Sequence, residues 1–466
     1  MSQTNLISRP VHELARDIAA RRLSPVELVE AFLARIEARE PKLQAFVEVY
    51  GEDARLAAKG AEQAIRSGHA VGPLHGVPIA LKDLIEIEGR RVSGGCSIFR
   101  ERVAQRTATL ARRLIAHGMI VIGKTHTVEF AMGGWGTNSR MGTPWNPWDL
   151  KRHRTPGGSS SGSGVAVAAG LAPWAIGTDT GGSVRLPASW CGITGLKTTI
   201  GRVSTHGVLP LSPTLDTPGP MTRTVEDAAL LYWAMQGADP LDPRTGSHAA
   251  EDPMPRLKRG VRGLRLARMP ERERAICTPD VLAAYDASLV QLERLGAKIV
   301  TLELPYVLTD FVAHTGDIIS AEGYALMRGL VDDANAPLDE HVRPRLAAGR
   351  DITARAYLEA LAKREAMKLE FAAALVDVDA LLTPTTATPA VPVDEVDQTG
   401  SPAHFTRFVN FLDLCALAVP NGFSADGLPC SLQIVCRGYD EATALRIGHA
   451  YQNATDWHLR TPPEPK

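Results

Sequence analysis

The sequence has little of what marks a membrane, secreted, metal-binding or nucleic-acid-binding protein. It contains no apolar run of about 18 residues, the length a membrane-spanning helix needs. Its longest uncharged stretch, Thr155 to Thr178, is rich in serine and glycine. Cysteine is sparse: Cys96, Cys191, Cys277, Cys415, Cys430 and Cys436 are scattered, with no C-x-x-C pair, which argues against a disulfide framework or a zinc site. Met1 to Asp17 lack the basic start, apolar stretch and small-residue cleavage site of a secretory leader, so a cytoplasmic protein is expected. Excess charge is also missing. With 51 basic against 52 acidic residues the formal net charge is −1, and basic clusters such as Lys151, Arg152, His153 and Arg154 are brief. Such a balance gives no electrostatic ground for binding nucleic acid or a membrane surface. What is present, 466 residues that are 44% hydrophobic and 22% charged, suits a folded chain with a large core.

Along the chain, Ser24-Pro25-Val26-Glu27 has the pattern of a capping box with proline at the first helical position. Val29, Phe32, Leu33 and Ile36 follow at helical spacing, so residues 1–65 are expected to form an N-terminal helical segment. Val77 to Leu81 and Met119 to Ile122 are short apolar runs bounded by glycine or proline, suited to strands buried on both faces. Thr109 to Ala116 between them has helical spacing and ends near Gly118. This alternation predicts an α/β protein with a large mixed central β-sheet covered by helices on both faces. From Gly133 to Gly219 glycine, serine, threonine and proline are dense, and only Val165 to Ala169 predicts a clear helix. Leu264 to Ala267, Pro279 to Leu295 and Lys298 to Leu304 predict an appended βαβ unit over residues 260–305. Thr353 to Leu375 predicts further helix, and Val378 to Leu382 and Ser431 to Val435 late strands. Without a repeat or linker, residues 1–466 are expected to be one domain.

Three segments carry the chemistry. Gly157-Gly158-Ser159-Ser160-Ser161-Gly162-Ser163-Gly164 brings backbone N–H groups and hydroxyls together, which alone fits a flexible loop or a phosphate cradle equally well. No Lys-Ser or Lys-Thr closes it as a Walker loop. A G-x-S-x-G match centred on Ser160 follows a charged loop rather than a strand, so the context of a nucleophile elbow is absent. The second segment is Gly177-Thr178-Asp179-Thr180-Gly181-Gly182-Ser183-Val184-Arg185-Leu186-Pro187. Its paired glycines allow a tight turn that aims successive N–H groups at one spot beside a serine, as acyl transfer requires. Asp179 and Arg185 could clamp that loop as a charge-assisted pair; a surface turn with a salt bridge has the same pattern. The third is Val77-Pro78-Ile79-Ala80-Leu81-Lys82-Asp83, a lysine ending an apolar strand. Most such lysines snorkel to solvent. A buried one can serve as a base, for which its pKa must fall from about 10.4 to about 7, roughly 4.6 kcal/mol. None of the thirteen histidines lies in either Gly-Ser segment, and none has a spacing tied to a nucleophile.

Taken in this order, the three segments resemble the amidase signature family, with its Lys, Ser, Ser relay. The stretch from Arg154 to Pro187 is similar to the family signature at nearly every defining position. Asn146-Pro147-Trp148-Asp149, Pro384-Thr385-Thr386 and Leu428-Pro429 extend the resemblance over most of the chain. The resemblance implies Ser183 as the acylated nucleophile, Ser159 as the bridging serine and Lys82 as the base. It also implies a cis peptide bond between Gly158 and Ser159 and an oxyanion hole built from the N–H groups of Thr180, Gly181, Gly182 and Ser183, with no metal or organic cofactor. Ser160 and Ser161 are read as loop hydroxyls.

The implied activity is hydrolysis of a C–N acyl bond in a small-molecule amide, carbamate or urea, with a homodimer compatible with the sequence. Family members also include the A subunit of tRNA-dependent amidotransferases, which hydrolyses glutamine and passes ammonia to a partner. A scaffold protein with a degenerate site is the alternative of another class, against which stands the presence of all three relay residues. Met132, Trp135 and the region from His404 to Leu412 are candidate substrate-pocket residues.

Overall fold

The computed structural model describes residues 3–69 and 71–464, with side chains from residue 6 onward. Among the described residues eleven strands form one sheet: β1 (Phe46–Val49), β2 (Pro78–Lys82), β3 (Ile120–Thr125), β4 (Trp174–Asp179), β5 (Thr194–Lys197), β6 (Thr217–Thr222), β7 (Arg265–Arg268), β8 (Lys298–Thr301), β9 (Ala380–Pro384), β10 (Cys415–Phe423) and β11 (Pro429–Cys436). Their order is β1-β3-β2-β4-β6-β5-β10-β11-β9-β7-β8. The sheet is mixed, as expected: β2 runs parallel to both β3 and β4, and β7 to both β8 and β9, while the other pairings are antiparallel. Helices cover both faces. No helix among the described residues is long and apolar enough to cross a membrane.

The helix Pro25–Leu43 starts where its sequence says it should. The Ser24 hydroxyl accepts from the N–H groups of Val26 and Glu27, Pro25 occupies the first turn, and Gln44 closes the helix in the left-handed conformation. Residues 3–65 are mainly helical, but β1 interrupts them and forms the sheet edge by pairing with β3. The unit around residues 260–305 is built from β7, the helix Pro279–Arg294 and β8. Pairing of β7 with β9 makes it an extension of the same sheet.

The stretch from Gly133 to Gly219 departs from its expected sparseness. It supplies β4, β5, the start of β6 and the helices Ser161–Ala168 and Arg185–Cys191. Every residue of β4, β5 and β6 is buried. Strands covered on both faces show no apolar–polar alternation, and small residues serve there because helices pack closely against them.

Candidate active site

Lys82 is the last residue of β2, and parallel pairing of Ala80 with Ala175 and Leu81 with Ile176 brings its side chain to the end of β4. Its ammonium is fully enclosed, at 0% exposure. Nζ lies 2.7 Å from Ser159 Oγ and 2.8 Å from Thr178 Oγ1. Burial lowers the pKa of Lys82 to about 7, opposed by the charges of Asp216 and Asp179. The amine is therefore poised between its two protonation states near neutrality.

Ser159 reaches Lys82 from the loop that precedes the helix Ser161–Ala168. The peptide bond between Gly158 and Ser159 is cis, as the resemblance implied. The other hydroxyls of this loop serve the backbone. Ser160 Oγ donates to Thr178 O and accepts from Thr178 N, and Ser163 Oγ donates to Ile176 O. Those contacts pin the serine loop onto β4.

Ser183 stands on the turn between β4 and the helix Arg185–Cys191. It is joined to the serine loop by a hydrogen bond from Ser160 N to Ser183 O at 3.2 Å. Its side chain is 7% exposed, and its hydroxyl has no protein partner among the described residues. The hydroxyl of the nucleophile candidate is thus uncommitted, whereas the Lys82–Ser159 link is already made.

Asp179 organises this turn from inside. Oδ1 accepts from Gly182 N, Arg185 Nη2 and Asn410 Nδ2, and Oδ2 from Val184 N and Arg185 Nε. Burial opposes ionisation of Asp179, but the Arg185 guanidinium outweighs it and holds the carboxyl well below the usual carboxylate range. Arg185, itself fully buried, also donates to Thr406 O, Gln433 Oε1 and Asn410 Oδ1. The clamp expected from Asp179 and Arg185 is therefore a buried pair and not a surface salt bridge.

Of the four N–H groups expected to face an oxyanion, Gly182 departs from expectation, because its N–H is spent on Asp179 at 2.7 Å. Those of Thr180, Gly181 and Ser183 meet no acceptor among the described residues. Gly182 is needed for shape: its φ is +133°, and a Cβ there would lie 2.4 Å from Thr406 Oγ1.

Met132 and Trp135 lie on the loop after the turn Glu129–Ala131. This loop abuts the serine loop through Gly158 N donating to Gly134 O. Met132 is buried, and its carbonyl accepts from Arg345 Nη1 at 3.3 Å. Trp135 stacks on Trp190 with ring centroids 5.5 Å apart. Neither side chain lines the small cavity beside Thr178 and Thr180, which is walled by Leu84, Ala131, Leu211 and Asp216. The region from His404 to Leu412 does touch the turn that carries Ser183: Thr406 Oγ1 donates to Gly181 O at 2.7 Å.

Reasoning from sequence missed Thr178, Asp216, Asn410 and Gln433. Thr178 lies inside the Gly177 to Pro187 segment and could have been named as a second hydroxyl beside Lys82. Asp216 accepts from Thr180 Oγ1, Leu211 N and Ser212 N, and burial raises its pKa to about 6. Asn410 lies in the His404 to Leu412 region but had no role assigned to it there. Among the described residues no cluster of three or more His, Cys, Asp or Glu side chains could hold a metal ion.

A family model described as Amidase matches residues 27–445. The A subunit of the glutamyl-tRNA(Gln) amidotransferase from Chloroflexus aggregans is 38% identical, over 96% of this chain and 96% of its own length. Among solved structures, one described as a vestigial protein complex revealing the evolutionary origins of an s-triazine catabolic enzyme aligns with a TM-score of 0.89 at 32% identity. That alignment covers 96% of this chain and 98% of the other. Native peptide amidase from Stenotrophomonas maltophilia aligns with a TM-score of 0.84 at 31% identity, covering 98% of both chains.

Proposed function

Because the chain belongs to the amidase family, we propose that it cleaves an amide C–N bond through an acyl-enzyme on Ser183. The observation that carries this reading is a buried lysine amine with a pKa near 7, 2.7 Å from the hydroxyl of Ser159, whose chain neighbour Ser160 donates its N–H to the carbonyl of Ser183, a serine whose own hydroxyl has no partner among the described residues. Neutral Lys82 accepts a proton from Ser159 as Ser159 takes one from Ser183, and Ser183 Oγ bonds to the carbonyl carbon. The developing oxyanion is held by the free N–H groups of Gly181 and Ser183, with Thr180 beside them. As the C–N bond breaks, the relay returns its proton to the departing nitrogen. Water then attacks the ester, gives its proton to the same relay and releases the acid and Ser183.

Two readings of the substrate have support. Similarity to amidotransferase A subunits at 38% identity over nearly the whole chain favours glutamine, with the released ammonia passed to a partner protein. That reading would give the chain a tRNA-linked assembly, despite its balanced charge. Likeness to peptide amidase supports a stand-alone hydrolase acting on a small amide or carbamate. Either is a cytoplasmic activity of one domain that needs no cofactor.

Ser183→Ala should abolish turnover and labelling by a serine-directed fluorophosphonate while the protein keeps its melting temperature. Wild-type rates in that variant would refute the assignment. A panel of glutamine, anilide, primary amide and carbamate substrates, scored by kcat/KM with and without co-purified partner proteins, separates the two substrate readings.

A further inference from the structure

Arg407 begins the helix Arg407–Phe411 and lies directly against the nucleophile turn. A Cβ placed on Gly181 would sit 3.3 Å from Arg407 Cγ and 3.7 Å from its Nε. The guanidinium is anchored from one side, with Nη1 donating to the carbonyl of Val312 at 2.5 Å. Nε and Nη2 meet no acceptor among the described residues, and neither atom is sealed from solvent without a partner. Those two N–H groups form the edge of the fork that takes a carboxylate in two parallel hydrogen bonds.

Among the described residues no carboxylate lies within ion-pair distance of Arg407, nor of Arg345, whose charge acts on it. Arg345 holds carbonyls instead, donating to Met132 O and to Gln398 O. Asp339, whose charge acts on Arg345, is occupied by Ser139 through one oxygen and by His341 N through the other. Burial and then the charge of Arg345 lower the pKa of Arg407 to about 10. A partly buried guanidinium with no acid in ion-pair contact, under the charge of a second arginine, costs stability that an incoming anion would offset. The Asp179–Arg185 pair beneath the same turn is the contrasting case, an arginine whose acid is supplied by the chain itself.

We propose that Arg407, supported by the charge of Arg345, is a specificity-determining residue that receives a carboxylate of the substrate, so that the preferred substrates are amides of anionic acids. This rests on Ser183 being the nucleophile. Glutamine is one molecule of that class, and half-amides of dicarboxylic acids are its simplest members.

The test compares succinamate and glutaramate with neutral isosteres in which an isopropyl group replaces the carboxylate, reading ammonia release. Wild type should favour the anionic amides in kcat/KM. Arg407→Gln should lower that anionic-to-neutral ratio about 100-fold, since a site built to hydrogen-bond a substrate group rejects analogues without it. Arg407→Lys, which keeps the charge and loses the fork, should give an intermediate ratio. A purely structural role would depress both substrates in parallel and leave the ratio unchanged, which overturns the proposal, as does a wild-type preference for the neutral amides. Glutarate should also slow fluorophosphonate labelling of Ser183 in wild type, a measurement that does not depend on any variant folding; no protection counts against the site. If wild type is not labelled at Ser183 and hydrolyses neither class, the nucleophile reading itself fails and this one with it.

Discussion

Two lysines, Lys82 and Lys197, end strands of the same sheet and are almost wholly shielded from solvent, yet their surroundings differ in one chemical respect. Lys82 faces two hydroxyls, Ser159 and Thr178. Lys197 faces two carbonyls, Thr198 O and Leu414 O, each at 2.8 Å. Burial lowers both, to about 7 for Lys82 and, with help from the charge of Arg185, to about 8 for Lys197. A carbonyl oxygen can only accept, so it holds an amine in the donor role and has no proton to give it. A hydroxyl both donates and accepts, so an amine between hydroxyls can take up a proton as well as release one. A shifted pKa therefore does not identify a base by itself; the identity of the neighbouring oxygens does. Lys124, also buried, illustrates a third solution, an ion pair with Asp83 at 3.0 Å.

The largest expected effect tests that contrast directly. Lys82→Met should lower kcat/KM by about 10³- to 10⁴-fold, at the upper end of what a positioned general base supplies. Lys197→Met should leave turnover within a few-fold of wild type. Equal losses in the two variants would mean that the hydroxyl neighbours are not what distinguishes them. Wild-type kcat/KM should also rise with pH as Lys82 loses its proton, levelling above its pKa of about 7. At one pH unit below that value the rate should be about a tenth of the plateau, and in Lys82→Met this limb should vanish.

A second substitution acts between the two regions. Asp179→Asn removes the acid that compensates Arg185, leaving a fully buried guanidinium whose charge also bears on Lys197. Removing one partner of a buried pair typically destabilises by about 3–5 kcal/mol. Denaturant unfolding should report a loss of that order, together with reduced activity, because the N–H groups of Gly182 and Val184 lose the carboxylate that shapes the nucleophile turn. A loss below about 1 kcal/mol would indicate that the pair behaves like an exposed one.

The two regions also differ in how far sequence reveals them. Lys82, Ser159, Ser183, Asp179 and Arg185 were legible because each lies in a short segment whose residue types constrain one another. The lysine closes an apolar run, the serines flank paired glycines, and the acid and base stand six residues apart on one turn. The partners that complete the site come from far along the chain, such as Asn410 and Gln433 on Arg185, and nothing local marks them. The strands beneath the site were hidden for a different reason. β6 reads Thr-Pro-Gly-Pro-Met-Thr, and proline and glycine argue against a central strand, yet it lies between β4 and β5. Likewise β10 contains Pro420, where its register with β11 shifts before Gly422. β1 was concealed because four residues between two helices carry too little pattern to separate from them.

The smallest effect concerns stability at Lys197 and sharpens the comparison from the other side. The folded pKa of Lys197, about 8, lies below its ordinary value of 10.5. Between those values the unfolded chain holds a proton that the folded protein has released, so stability rises with pH across that window. Below about 8 both states are protonated and this contribution to the slope disappears. The window spans about 2.5 units, worth on the order of 3 kcal/mol at 1.36 kcal/mol per unit. Lys197→Met has no such proton to lose, although it leaves Thr198 O and Leu414 O without their donor, a pH-independent cost of about 1–3 kcal/mol. The stability of wild type relative to Lys197→Met, from chemical denaturation at a series of pH values, should therefore be flat below pH 8 and climb by about 2–3 kcal/mol toward pH 10.5. A constant difference across the whole range would show that Lys197 keeps its ordinary proton affinity. Burial beside carbonyls would then be insufficient to shift a lysine in this sheet, and the lowered pKa of Lys82 would have to be credited to its hydroxyl pocket alone.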